Sequence, residues 1–224
     1  MIKFFLQKLL KTFGKTYTID QSIPNGLVIY IFKKRLVMLI RGVLKTRRKI
    51  FIDKKVKILN KPSFKFGYGC TVEEYVFLDC YGTTGVVLGN SSKIGSHSIV
   101  STTSHLSKLG KGLIIGNNSS VGSFSYYGCS GGVEIGNDVI MGEYISFHSE
   151  NHNFSDNETL IREQGVISEG IKIGHNIWVG AKVTFIDGCQ VGDNSVVAAG
   201  AIVKGVFPPN VVIGGVPAKI LKEL

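Results

Sequence analysis

The sequence predicts an all-β chain wound as a parallel β-helix of about six coils, with a helical arm before it and a short helix after it. Three observations carry that prediction: a strict six-residue period, glycines set within it, and insertions that all fall at one point of the cycle. Large apolar residues recur at Phe66, Val72 and Leu78, then Leu88, Ile94 and Val100, then Ile115, Val121 and Tyr127. The series continues through Ile135, Met141 and Phe147, then Ile173, Val179 and Phe185, and ends at Val191, Val197 and Val203. A period of six matches neither an α-helix nor an ordinary strand. Short strands joined by tight corners, three to a coil, put one apolar side chain per strand into a central stack. Stacking then supplies the core that no coil has alone.

Glycine commonly follows the first two members of a triplet, as in IGNNSSVGSFSY and IGHNIWVGAKVT. It predicts close-packed corners open to positive φ. Between triplets the excess over period six is 4, 9, 2, 20 and 0 residues, always after a third strand. The loops therefore leave the prism at one corner, and loops on a rigid scaffold are where function tends to sit. The longest departs after Phe147, where FHSENHNFSD packs two histidines, a glutamate and two asparagines into ten residues. The predicted division is a basic amphipathic helical arm over 1–60, a β-helix over 61–205 with its loop at about 148–171, and a C-terminal tail and helix over 206–224.

The net charge of +10 divides unevenly. Residues 1–65 hold 17 of the 26 Lys and Arg against Asp20 and Asp53, a balance of +15, which leaves −5 for the rest. MIKFFLQKLLKTF sets Ile2, Phe5, Leu6, Leu9, Leu10 and Phe13 on one helical stripe with Lys3, Lys8 and Lys11 opposite. Lysines interrupt the apolar centre that a signal peptide needs. Lys33, Lys34 and Arg35 likewise cut the second apolar stretch well below the length that crosses a bilayer. Two readings of residues 1–50 stand: peripheral contact with a membrane surface, or helices packed on the body or on a sister subunit. No motif supports nucleic acid as a partner. Cys70, Cys80, Cys129 and Cys189 show no metal-ligand spacing and read as small buried hydrophobes in a reducing compartment.

The hexapeptide runs, NHNF before a long loop, IKIGHNIWVGAKVTFIDGCQVGDNSVVAAGAIV and PPNVVIGGVPAKIL together resemble the left-handed β-helix acetyltransferases. That family includes maltose and galactoside O-acetyltransferases and the bacterial enzymes that O-acetylate surface polysaccharides. The resemblance covers roughly residues 66–224. It implies a left-handed winding, where right-handed crossovers are the usual rule. It also implies acetyl-CoA as co-substrate, no metal, and a homotrimer with active sites between subunits. The expected reaction moves acetyl to a sugar hydroxyl of a surface polysaccharide or its lipid-linked precursor, in the cytoplasm or at the inner face of the bacterial membrane.

In the family a histidine acts as general base on the acceptor, and His152 matches its slot; imidazole suits the task near neutral pH. His148 is the second choice for that role. His148, Glu150 and Asn151 are the expected acceptor-side residues, with a structural histidine, a solvent-facing carboxylate and a turn asparagine as the plain alternatives. His97, His105 and His175 read as solvated surface residues. The resemblance makes Trp178 a wall for the pantetheine arm and brings Gly180, Ala181, Ala199 and Gly200 close to the coenzyme. Lys204, Lys219 and Lys222 match residues that meet its phosphates, the last two in a helix opening at Pro217. Relatives usually read TKD before the double proline; here Lys204-Gly205-Val206 stands there. The AGELY-like motif of maltose-type enzymes is absent, so free maltose or galactoside is not the expected acceptor. Rival readings are an amino-sugar N-acetyltransferase, an acyl carrier protein-dependent transferase, a non-enzymatic β-helix, and a zinc hydratase of gamma carbonic anhydrase type. The last needs three histidine ligands, and only His148 and His152 cluster.

Overall fold

A computed structural model describes residues 3, 4, 7, 8, 18–103, 105, 106 and 108–224. The predicted stripe of Ile2, Phe5, Leu6, Leu9, Leu10 and Phe13 lies outside the described residues, as does Lys11. The body is a left-handed parallel β-helix of triangular section. Its first face runs from Phe51–Ile52 through Thr71–Val72, Lys93–Ile94, Ser120–Val121, Ile140–Met141, Trp178–Val179 and Val196–Val197 to Val211–Gly215. The second runs from Lys57–Leu59 to Ile202–Val203 and includes Tyr126–Gly128, Ser146–His148 and Thr184–Ile186. The third runs from Phe64–Phe66 to Val206–Phe207 and includes Val133–Ile135 and Ile171–Ile173.

The second and third faces carry seven strands each, so there are seven coils where six were expected. The extra coil is the first. It begins at Phe51, inside the stretch read as arm: Ile52 and Ile58 join the already predicted Phe66 in the buried stack, and Phe207 extends the stack at the other end. Inside the second face the rings of Tyr127, Phe147 and Phe185 stack at 5.2 and 5.1 Å between centroids.

The glycines work by size. A Cβ on Gly95 would come within 2.4 Å of Gly122, and one on Gly180 within 2.5 Å of Ala199, both against backbone. Positive φ falls two residues later, on residues that are mostly not glycine: Tyr75, His97, Phe124 and Tyr144 at 57–59°. That conformation costs such side chains about 1–2 kcal/mol each. Their rings stack up the corner at 4.8, 4.9 and 5.2 Å, which offsets part of the cost. At the corner between third and first faces a polar ladder links the coils. The backbone N–H of Asn90 donates to Asn117, that of Asn117 to Asn137, that of Asn137 to His175 Nδ1, and that of His175 to Asp193. His175 is thus a rung of the scaffold, with its proton on Nε2, and not merely a solvated surface residue.

Each end of the prism exposes unpaired strand edges, and each is covered. Helix α1 (Asn25–Thr46) lies on the first coil. Arg41 Nη1 donates to Ile52 O at 3.1 Å and Lys45 Nζ to Val56 O at 2.6 Å, satisfying carbonyls on that edge. Arg35 stacks 3.8 Å above the Phe51 ring. The buried Asp53 carboxylate holds Lys34 at 3.0 Å and Arg41 at 3.5 Å. Burial alone would raise its pKa, but Lys34, the Lys54 N–H and Arg41 outweigh that and keep it low.

At the far end the expected helix from Pro217 is a strand instead. Ala218–Glu223 pairs antiparallel with Val211–Gly215, so the chain closes the last edge by hairpin, and Lys219 and Lys222 stand on a strand. A helix there would leave the outer edge of Val211–Gly215 open.

Gly42 sits where a Cβ would meet Ile50 O at 1.8 Å. In an ordinary helix Gly→Ala stabilises by about 1 kcal/mol. We expect Gly42→Ala to do the reverse, lowering the melting temperature by several degrees in calorimetry as α1 is pushed off the first coil.

Candidate active site

The break in the repeat after Phe147 is a raised platform at the corner between second and third faces. Ser149 fixes its root: the buried hydroxyl donates to Gly128 O at 2.7 Å and accepts from Gly131 N at 2.9 Å. Asn151–His152 then pairs antiparallel with Val166–Ile167, with Asn151 opposite Ile167 and His152 opposite Val166. The turn beyond is held by Gln164, whose Nε2 donates to Asp156 O and Thr159 O, both at 2.7 Å. The Thr159 hydroxyl and the Glu158 N–H bond the Asp156 carboxylate and lower its pKa. The loop returns over Asp187, a buried carboxylate that accepts from the N–H groups of Glu169 at 3.0 Å and Gly170 at 2.8 Å. Lys108 Nζ, 2.6 Å from Ser168 Oγ, ties this loop to the nine-residue insertion one coil pair earlier.

On that platform the His152 side chain is exposed, and Glu150 and Asn151 are half-buried. His148 is exposed on the second face with its ring 5.8 Å from Tyr126. His152 and the three acceptor-side residues therefore share one corner, and Lys204 follows the second-face strand Ile202–Val203 at the same corner two coils on. Trp178 does not join them. It stands 61% exposed on the first face, between Ile140 and Val196. Gly180, Ala181, Ala199 and Gly200 occupy the corner between first and second faces, and Lys219 and Lys222 lie on the first face. A triangular section sets the first face opposite the platform corner, so one prism turns Trp178, Lys219 and Lys222 away from His152. A concavity of about 440 Å³ lies on the third face beside Glu134, Lys172 and Gln190 and contains none of the predicted residues. Among the described residues no three His, Cys, Asp or Glu side chains converge as a metal site.

Residues 170–205 match the family described as bacterial transferase hexapeptide (six repeats). That match takes in 36 of the chain's 224 residues. The chain is similar to galactoside O-acetyltransferase of Escherichia coli, 36% identical over 92 residues, covering 41% of this chain and 44% of that protein. It is also similar to the putative lipopolysaccharide biosynthesis O-acetyl transferase WbbJ of the same organism, 33% identical over 98 residues, covering 41% and 50%. The chain thus matches half or less of these relatives' length. A solved mutant of AntD, an N-acyltransferase from Bacillus cereus in complex with dTDP-4-amino-4,6-dideoxyglucose and coenzyme A, shares the fold. Its TM-score is 0.56 at 18% identity, over 82% of this chain and 88% of that one.

Asp187, Ser149 and Gln164 were not singled out by the sequence. Asp187 carried the one available signal, an acidic residue in TFIDG facing the end of the long loop. Asp187→Asn turns an NH₂ toward N–H donors. We expect a loss of about 1–2 kcal/mol in stability and roughly tenfold faster proteolytic nicking within residues 153–170, read by limited digestion.

Proposed function

We propose that the chain is an acetyl-CoA-dependent O-acetyltransferase acting on a sugar hydroxyl of a surface polysaccharide or its lipid-linked precursor. It works as a homotrimer, in the cytoplasm at the inner membrane face. The observation that carries the reading is the exposed His152 on its two-strand platform, set in a hexapeptide repeat similar to galactoside O-acetyltransferase. His152 takes the proton from the acceptor hydroxyl as its oxygen attacks the thioester carbonyl. The C–O bond forms, the tetrahedral intermediate collapses with loss of the C–S bond, and the departing thiolate takes the proton from the imidazolium. Bringing hydroxyl and thioester into contact supplies much of the acceleration. His148, Glu150 and Asn151 position the acceptor. Trp178, Gly180, Ala181, Ala199 and Gly200 hold the pantetheine arm, and Lys204, Lys219 and Lys222 meet the phosphates.

The separation of Trp178 from His152 across the prism supports assembly. If both serve one site, different copies supply them, and a ring closed by rotation places the first face of one copy against the platform of the next.

The test follows coenzyme A release with a thiol reagent over a panel of sugars and amino-sugars, for the native chain and His152→Ala. All four cysteines are buried; burial pushes the Cys70 thiol up, Cys80 and Cys189 up to about 12 and Cys129 higher still, so the folded protein's own thiols contribute little beside released coenzyme A. We expect acceptor-dependent release that falls by about 10²–10⁴-fold in the variant. Release that survives the substitution would move the base to His148, and absence of coenzyme A binding would end the reading.

A further inference from the structure

The outer face of α1 is apolar where a surface helix is ordinarily polar. On its inner side Val28, Met38 and Gly42 are buried against the body, while Ile31 among them stays 47% exposed. Yet Tyr30 is 61% exposed, Val37 50%, Ile40 52% and Leu44 71%, with Leu36 and Val43 beside them. At 100° per residue Tyr30, Val37 and Leu44 fall on one line down the side opposite Val28. Thirteen Lys and Arg lie between residues 33 and 65 against Asp53 alone, and that carboxylate is occupied by Lys34 and Arg41. Lys33 within that outer face, Arg47 at the C-terminal cap, and Lys49, Lys55, Lys57 and Lys61 around the first coil are exposed. No helix among the described residues is long and apolar enough to cross a membrane. An outward apolar stripe ringed by exposed cations is the chemistry of a helix lying in the interface of an anionic bilayer.

We infer that this outer face of α1, with the lysine rim of the first coil, docks the prism end-on to an anionic phospholipid surface. Tyr30, Val37, Ile40 and Leu44 enter the headgroup boundary, and the lysines reach the phosphates around them. The docking fixes the height of the chemistry. His152 follows the fifth coil, so four strand spacings of about 4.8 Å and a helix roughly 10 Å thick hold it about 30 Å from the lipid. This consequence rests on the acetyltransferase reading: the acceptor is a lipid-anchored saccharide long enough to present its hydroxyl at that height, rather than a single sugar on its carrier.

The test sediments the full-length protein with vesicles of phosphatidylcholine alone, or with about a third phosphatidylglycerol, at low and high salt. The native chain, Val37→Asp/Leu44→Asp and His152→Ala are compared. We expect at least tenfold stronger binding to the anionic vesicles, weakened by salt. The double variant should lose it while keeping its melting temperature and its coenzyme A release on a soluble acceptor. His152→Ala should bind as the native chain does, so docking and catalysis fail separately. Equal partition of the native chain to both vesicle types would overturn the inference. So would undiminished binding of the double variant, or a change in its oligomeric state, which would mark the face as a contact between copies.

Discussion

The strands of the prism are too short to stand alone, and between its two ends their backbone groups are satisfied by the coil above and the coil below. That constraint governs the rest. The hydrogen-bonded rise from coil to coil must stay near one strand spacing, so Gly95, Gly122, Gly142 and Gly180 hold the corner where any Cβ would strike the next coil's backbone. The same rise is the stacking distance of aromatic rings, so Tyr75, His97, Phe124 and Tyr144 can climb one corner in contact. It also lets one carboxamide bond the backbone of its neighbour in the ladder from Asn90 to Asp193. A structure held in one dimension is weakest at its ends, and there the chain spends α1 on one and a hairpin on the other.

The fold was legible because a six-residue period over eighteen positions has few physical solutions. The first two strands of the first coil were missed for a specific reason: Ile52 and Ile58 keep the period, but Lys54, Lys55 and Lys57 between them look like more of the basic arm. Those lysines point out of the prism, as any coil's outward residues do. Pro217 misled in the opposite direction, since a proline that suits a helix start equally suits the turn of a hairpin, and only the open edge of Val211–Gly215 decides between them. Winding hand is invisible to periodicity, which is the same for either hand.

Of the site, the platform was legible as an interruption, and His152 stands where the interruption begins. What the sequence could not convey is face assignment across a loop. Trp178 and His152 are separated by only 26 positions, yet the corner geometry turns them to opposite sides of the prism. Asp187 was hidden because its partners are backbone N–H groups, which no residue pattern spells out.

The insertions, all at the corner between second and third faces, give the chain one position at which length is nearly free. Closing a longer loop costs only with the logarithm of its length, and the stack inside does not register what leaves that corner. Loop content there can drift without altering coil register, while a residue added at either other corner would displace a rung of the polar ladder or a ring of the aromatic one. The prism thus separates what can vary from what cannot by geometry alone, and new loop surfaces have one place in which to arise.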